Sequence, residues 1–371
     1  MEWRGVSNGI TSDITSDMKI ILFCEALRNR AGIERMTVEL ANLLQSDFET
    51  SIVTIEPFVK TECPYDIKDD VTVSSLNSSF HKSLFSSNLK NIRRFRKHIL
   101  TQHPDVIITV ATPLLRISAP ATWGCCIKNI VWEHFNLYAG SKIGSIYKMI
   151  APWFADQTVV LTEADAKDFK RVHAPRVVAI PNFTSIGNNE PSRCTEKILL
   201  AVGRHSRQKG FDLLLKAWAL ADAPGWKLKI VGSGELRKEN ENLAKQLGIS
   251  DNTIFVDAHS AIADEFQNAS CFVLSSRFEG MVLVLLEAKM MGLPCISFDC
   301  PNSPREVIRD GIDGWLVPPE NTEALTQIIN LRLNDTRLLA SSGLKAREDA
   351  MRRFSPESVK QKWLNIITNL T

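Results

Sequence analysis

The feature that most constrains this chain is an alternation that runs through most of its 371 residues. Short apolar runs alternate with longer stretches whose apolar positions fall at helical spacing. Short runs of this kind read as buried parallel strands, and the stretches between them as crossover helices. In the first half the pattern predicts strands at 19–24, 51–55, 71–74, 105–110, 128–132, 157–161 and 176–180. It predicts helices at 33–44, 88–100 and 163–170, the last N-capped by Thr162. In the second half it predicts strands at 198–202, 227–231, 253–256, 271–274 and 294–298. Helices are expected at 209–221, 235–247, 261–268, 282–291, 320–332, 335–352 and 356–370. Repeated strand–helix units imply a doubly wound parallel sheet in each half, with ligands at the carboxyl ends of the strands.

Length points the same way, because 371 residues exceed one ordinary core. The expected organisation is a polar leader over 1–17, with Met18 as the working start, and a first domain over 18–183. A linker over 184–197 (TSIGNNEPSRCTEK), a second domain over 198–354 and a terminal helix over 355–371 returning to the first domain follow. The leader has no apolar central segment of the kind a signal peptide carries. No apolar run reaches the ~18–20 residues that span a bilayer. A net charge of +2 gives no general attraction to nucleic acid. The eight cysteines show no C-x-x-C pair and no Cys/His metal spacing. They fit a reducing cytoplasm.

The most informative stretch is 275–306, SSRFEGMVLVLLEAKMMGLPCISFDCPNSPRE. Glu279 and Gly280 fall in a turn between a strand end and a helix start, and Glu287 falls inside that helix. Backbone N–H groups of Met281, Val282, Leu283 and Val284 point out of the helix N-terminus and favour an anion. Anion-binding amides beside two carboxylates suit a ligand with both phosphates and hydroxyls, such as a nucleotide sugar.

The pattern F-E-G, six residues, E-A, followed by GLPCI and FDCPNSPRE, resembles the nucleotide-binding half of retaining family 4 glycosyltransferases. The resemblance implies the GT-B fold: two Rossmann-like doubly wound domains facing across a cleft. It implies that Glu279 lies by the transferred sugar and that Glu287 binds ribose hydroxyls. The segment Gly203-Arg204-His205-Ser206-Arg207-Gln208-Lys209-Gly210 is similar to the family's G-R-x-x-x-x-K-G, whose Arg and Lys grip the donor pyrophosphate. Read from the residues alone, it places two cations where a helix begins. Val231-Gly-Ser-Gly-Glu235 has two glycines of a dinucleotide fingerprint but carries Arg237 where the third would stand. The family often has a glycine near Val256-Asp257-Ala258, and this chain has none.

In the first half the resemblance is looser. Ala31-Gly32-Ile33 stands where the family has two adjacent glycines, leaving Gly32 to approach phosphate or acceptor. His134, just past the 128–132 strand, matches a histidine that reaches the transferred sugar, and Glu133 precedes it. Asn182 matches the family's domain-exit segment. The 90–98 stretch crowds Lys90, Arg93, Arg94, Arg96, Lys97 and His98 on one helix, which reads as a solvated basic face or as a contact with anionic lipid.

The expected function is hexosyl or N-acetylhexosaminyl transfer from a nucleotide diphosphate sugar, a UDP-sugar, to a glycan or lipid-linked glycan in cell-surface polysaccharide synthesis. The expected site has Glu279, His134, Arg204 and Lys209 in catalytic roles. Gly32, Asn182, Gly203, Gly280, Met281, Val282, Leu283 and Glu287 would bind the donor. No metal and no separate cofactor are expected, since no D-x-D-like pattern is present. The expected location is cytoplasmic, at the inner face of the membrane. Two other classes share these features: a UDP-sugar 2-epimerase of the same two-lobed architecture, and a non-catalytic sugar-nucleotide-binding subunit.

Overall fold

A computed structural model describes residues 18–29, 31–80, 85–138, 142–301 and 304–371. The expected leader, 1–17, lies outside them. The chain divides into two units, one formed by the residues up to Ile180 with Lys360–Thr371, the other by Pro181–Val359.

The first unit is built on β1 (Lys19–Cys24), β2 (Glu49–Thr54), β3 (Thr72–Ser75), β4 (Val106–Val110), β5 (Lys128–Trp132), β6 (Gln157–Val160) and β7 (Val177–Ala179). Their spatial order is β3-β2-β1-β4-β5-β6-β7, and every described pairing is parallel. Central strands covered on both faces must be apolar throughout. Accordingly Ile20, Leu22 and Phe23 of β1 and Val106, Ile107 and Ile108 of β4 are buried, with Ile20 opposite Val106 and Leu22 opposite Ile108. Helices Gly32–Leu44, Phe85–Gln102, Leu115–Thr122, Lys142–Ile150 and Glu163–Arg171 connect these strands. The Phe95 ring stacks on Phe23 at 4.1 Å. Thr162 caps its helix by accepting the Asp165 N–H at 3.0 Å.

The second unit repeats the plan with β8 (Ile198–Val202), β9 (Lys227–Val231), β10 (Thr253–Val256), β11 (Cys271–Leu274), β12 (Cys295–Phe298) and β13 (Gly314–Val317), ordered β10-β9-β8-β11-β12-β13. Each sheet therefore reverses its order beside its first strand, between β1 and β4 and between β8 and β11. Ligands of doubly wound sheets bind outside the strand ends at such a reversal.

Several elements escape the sequence pattern, among them the one-turn helix Pro304–Val307. β13 is only four residues long and opens on Gly314, while the helices Leu115–Thr122 and Lys142–Ile150 are short, the first containing Pro120. The 209–221 helix begins later, at Phe211, because Gly210 breaks the chain in a left-handed conformation. Residues 184–197, polar enough to read as a linker, lie in the second unit. The Thr184 N–H donates to Phe354 O at 3.3 Å, the Ser192 N–H to Met291 O at 2.8 Å, and Cys194 is buried.

The last helix, Pro356–Leu370, joins the first unit from Lys360 onward. Trp363 is buried with its ring edge-on to Trp132 at 5.3 Å, and Lys360 pairs with Asp47. Trp363→Ala should cost about 3–5 kcal/mol, as for other large-to-small changes in a packed interior. Urea unfolding of the variant would measure it; a loss near zero would show that the helix is a surface appendage.

Candidate active site

The site in the second unit follows from one pairing. β8 and β11 are neighbours, with Leu199 opposite Cys271 and Leu200 opposite Phe272, so the loops leaving them run side by side. The Arg277 N–H donates to Gln208 O at 2.8 Å, the Ser275 hydroxyl to Lys209 O at 2.9 Å, and the Gln208 amide to Phe278 O at 3.0 Å. Gly210 has φ +63°, and a Cβ there would collide with the Ser275 carbonyl oxygen. Glycine is thus demanded both by conformation and by close approach.

This contact brings Lys209 and Glu279 together. Lys209 Nζ lies 2.6 Å from Glu279 Oε1, the Ser276 hydroxyl donates to the same oxygen at 2.6 Å, and the Gln208 amide donates to Oε2 at 3.2 Å. Three donors therefore fix a largely buried carboxylate. Arg204 is exposed at the mouth of the loop, and Gly203 borders the Lys209 stem, 3.1 Å from a Cβ built on Gly203 to Lys209 Cδ.

Gly280 and Met281 lead into the helix Leu283–Met290, where Val282 holds the N-cap position without a side-chain cap, leaving the first-turn N–H groups uncapped by that residue. Leu283 and Val284 in its first turn are partly exposed. The Asn182 N–H donates to Met281 Sδ at 3.1 Å, and Asn182 Oδ1 is buried with no hydrogen-bond partner among the described residues. Glu287 is buried one turn further on. Two residues beyond it, Lys289 is wholly buried and donates to Asp313 at 3.1 Å, Asp349 at 2.8 Å and Val307 O at 2.6 Å. Burial would raise the Asp349 carboxyl, but Lys289 and the nearby Arg353 and Arg352 outweigh it and hold the group below the usual carboxylate range.

The turn after β9 presses on the loop after β8. Gly232 has φ +154°, and a Cβ there would meet Gly203 O. Arg237, in the place of a third fingerprint glycine, donates to the carbonyls of Gly232 at 3.0 Å and Val256 at 3.1 Å and lies over the Phe255 ring. His205 is wholly buried, with Nδ1 at 2.9 Å from the Asn240 amide. Burial, aided by the Arg237 charge, lowers its pKa to about 4. Arg277 grips Asp212 at 2.9 and 2.7 Å and Glu320 at 2.9 Å, locking the Glu279 loop to the helix Phe211–Ala219. Neither His205 nor Arg277 stood out in the sequence, because their partners are remote in the chain.

In the first unit Gly32 opens the helix Gly32–Leu44 and is exposed, while Tyr65 donates to Ala31 O at 2.9 Å. His134 and Glu133 follow β5 and are buried. The His134 ring lies 4.4 Å from Trp132, and burial lowers its pKa to about 3, so it is a neutral imidazole at neutral pH. Glu133 accepts the N–H groups of Thr112 at 3.2 Å and Phe135 at 2.9 Å and lies 3.7 Å from Lys148, bonds that hold its own turn. Among the described residues no group of three or more His, Cys, Asp or Glu side chains is placed to hold a metal ion.

This fold has counterparts. Residues 30–186 match the family model "Glycosyltransferase Family 4", and residues 183–349 match "Glycosyl transferases group 1". Together the two matches run from residue 30 to residue 349, and the chain is a glycosyltransferase of GT-B architecture. It is 29% identical to an uncharacterised glycosyltransferase of Haemophilus influenzae over 94% of its length and 99% of the relative's. It is 25% identical to the amylovoran biosynthesis glycosyltransferase AmsD of Erwinia amylovora, over 94% of this chain and 99% of that one. A Campylobacter jejuni alpha-1,4-N-acetyl-D-galactosaminyltransferase, named for an undecaprenol-diphosphate-linked glycan, is 28% identical over 95% of this chain and 99% of its own. Among solved structures, HepE of Anabaena in complex with UDP superposes with a TM-score of 0.79 at 19% identity, over 95% of this chain and 100% of that one.

Lys289→Met should destabilise the protein by about 3–5 kcal/mol, because it strands two buried aspartates. Denaturant unfolding reads this directly, and a loss below about 1 kcal/mol would mean that water reaches the cluster. A second expectation concerns pH. An unfolded histidine has a pKa of about 6.5, while His134 and His205 stay neutral in the fold to about 3 and about 4. Their stabilisation is complete above pH ~6.5 and declines as pH falls toward the folded values, since only the unfolded chain takes up protons there. The urea midpoint should drop between neutral pH and pH ~5, and drop less in His205→Leu.

Proposed function

We propose that the enzyme moves a hexose or N-acetylhexosamine from a UDP-sugar to a glycan or lipid-linked glycan, with retention of anomeric configuration, in cell-surface polysaccharide synthesis. The observation that carries the donor reading is the junction of the β8 and β11 loops. It sets Lys209 against Glu279, leaves Arg204 exposed earlier in the same loop, and puts a helix N-terminus next in the chain. Cations and amides there suit a diphosphate, and carboxylates suit sugar hydroxyls. The relatives' names point to polysaccharide and lipid-linked acceptors, and the UDP in HepE to the nucleotide.

In this reading Arg204, Lys209 and the amides after Gly280 stabilise the diphosphate as it departs. Gly203 lets the chain turn close to it. Glu279 orients the transferred sugar, with neutral His134 as a further contact, and Glu287 accepts from the ribose hydroxyls. Asn182 supports the turn at Met281, and Gly32 gives the acceptor side an open backbone. The acceptor oxygen forms its bond to the anomeric carbon on the face the diphosphate leaves. The breaking bond's electron pair stays with the diphosphate, and a phosphate oxygen takes the acceptor proton. The leaving group's charge grows along this path, so its partners must favour the transition state over the ground state. Protein cations fill that role without a metal ion. The reaction would take place in the cytoplasm, where nucleotide sugars are available.

Arg204→Ala and Lys209→Ala, each checked for folding, should lower kcat roughly a hundredfold or more. Arg204→Lys should also be poor, because a point charge does not reproduce a guanidinium fork. Activity should survive excess EDTA. Loss in EDTA with recovery in manganese, together with alanine variants near wild type, would sink the metal-free reading. Glu287→Gln should instead weaken UDP binding and raise KM more than it lowers kcat, since ribose contacts persist unchanged through the reaction. Product analysis without acceptor separates this reading from 2-epimerisation, which would yield an isomeric UDP-sugar.

A further inference from the structure

The Lys209–Glu279 pair sets a conflict that two neighbouring side chains can resolve. In the proposed reaction Lys209 meets a diphosphate and Glu279 meets sugar hydroxyls. In the structure the two meet each other, Nζ to Oε1 at 2.6 Å, with both side chains largely buried. An ammonium paired in this way has its charge neutralised by the carboxylate. An incoming diphosphate must therefore compete with Glu279 for it. A carboxylate that merely lost this partner would be left buried and uncompensated, which is costly.

Glu279 has two other donors. The Ser276 hydroxyl donates to Oε1 at 2.6 Å and the Gln208 amide to Oε2 at 3.2 Å, so each carboxylate oxygen keeps a bond without Lys209. Both donors are fixed. Ser276 is buried three residues before Glu279, in the same turn. The Gln208 side chain also donates to Phe278 O at 3.0 Å, and its backbone carbonyl accepts the Arg277 N–H at 2.8 Å. Backbone and side chain are thus both tied to the Glu279 loop. Lys209 is adaptable where they are not. Its ammonium carries three rotatable donors on a four-carbon stem. The backbone below that stem is anchored, since the Ser275 hydroxyl donates to Lys209 O at 2.9 Å. The stem runs beside Gly203, where a Cβ would crowd it, at 3.1 Å from both Lys209 Cδ and Cε. The anchor is therefore fixed, and the tip has room to turn.

We infer that Ser276 and Gln208 are positioning residues for sugar transfer, holding the Glu279 carboxylate in place while Lys209 leaves it for the donor diphosphate. The exchange moves one ion-pair contact and changes no covalent bond. Lys209 gains phosphate oxygens, and Glu279 keeps two charge-assisted hydrogen bonds. The carboxylate then meets the sugar hydroxyls in the orientation it already has, so little reorganisation is left for the reaction itself. Motif spacing alone singles out neither residue, because each acts through Glu279. The inference rests on the reading of Lys209 as a diphosphate ligand and deepens it.

Calorimetric titration of the full chain with UDP tests this without a sugar or an acceptor. Glu279→Gln removes the competing charge and should bind UDP about tenfold more tightly than wild type. Ser276→Ala and Gln208→Ala make Glu279 depend on Lys209, so each should bind UDP about fivefold more weakly. Added to Glu279→Gln, either alanine change should alter UDP affinity by less than about twofold, because no carboxylate is left to compete. A purely structural Ser276 or Gln208 would weaken UDP by the same factor in both backgrounds, and that result would overturn the inference. So would a Glu279→Gln variant that binds UDP no more tightly than wild type. If Ser276→Ala does not fold, Gln208→Ala carries the same comparison, since Gln208 is only partly buried. Lys209→Ala separates the inference from the reading beneath it. If that variant binds UDP as wild type does, the diphosphate role of Lys209 falls and the inference with it. If it binds about tenfold or more weakly while Glu279→Gln matches wild type, the donor reading stands and only the exchange is lost.

Discussion

A charge carried into a protein interior must bring its partner with it. The second unit depends on that rule at Lys289. This residue sits on the helix that also bears Glu287, and its ammonium joins the helix Thr336–Phe354 through Asp349 and the turn before β13 through Asp313. Arg309 reinforces Asp313 at 2.6 Å, and Arg352 reinforces Asp349 at 2.7 Å. The helix is buried from Leu285 to Met290, so its position is set by this network as well as by apolar packing. Any ligand held at its N-terminus depends on that position.

A second constraint is backbone proximity. The loops after β8, β9 and β11 pack carbonyl against Cα at Gly210 and Gly232, closer than a side chain allows. The reward is a short span between Lys209 and Glu279, two groups 70 positions apart in the chain. The first unit answers the same topology differently. There Glu133 ties the turn after β5 by accepting backbone N–H groups, and His134 is buried as a neutral ring beside Trp132. The strands' opposite edge leaves Trp123 and Trp153 exposed just before β5 and β6, so the two ends of one sheet differ in chemistry.

Much of this was legible from the sequence. The strands 19–24, 128–132, 198–202, 227–231, 253–256 and 271–274 emerge with the bounds that their apolar runs predict; those buried on both faces, such as 271–274, tolerate little else. The Thr162 cap is equally local. The motif segments were legible too, since glycines and glutamates at fixed spacing mark turns and helix starts. Where signals are weak the pattern is silent: β13 opens on Gly314 and is followed by two prolines, and the Leu115–Thr122 helix contains a proline.

The sequence by itself determined the doubly wound class, the number of sheets, and the loops that carry chemistry, because these rest on local periodicity and turn residues. Only the tertiary structure decided which loops meet. That β8 neighbours β11, that Lys209 reaches Glu279, that Arg94 and Arg96 turn inward while Lys90, Arg93 and Lys97 face out, and that Lys289 finds two aspartates all depend on contacts between distant segments. Local propensity cannot encode such contacts, since each side chain's role is set by a partner that only the folded sheet order brings within reach.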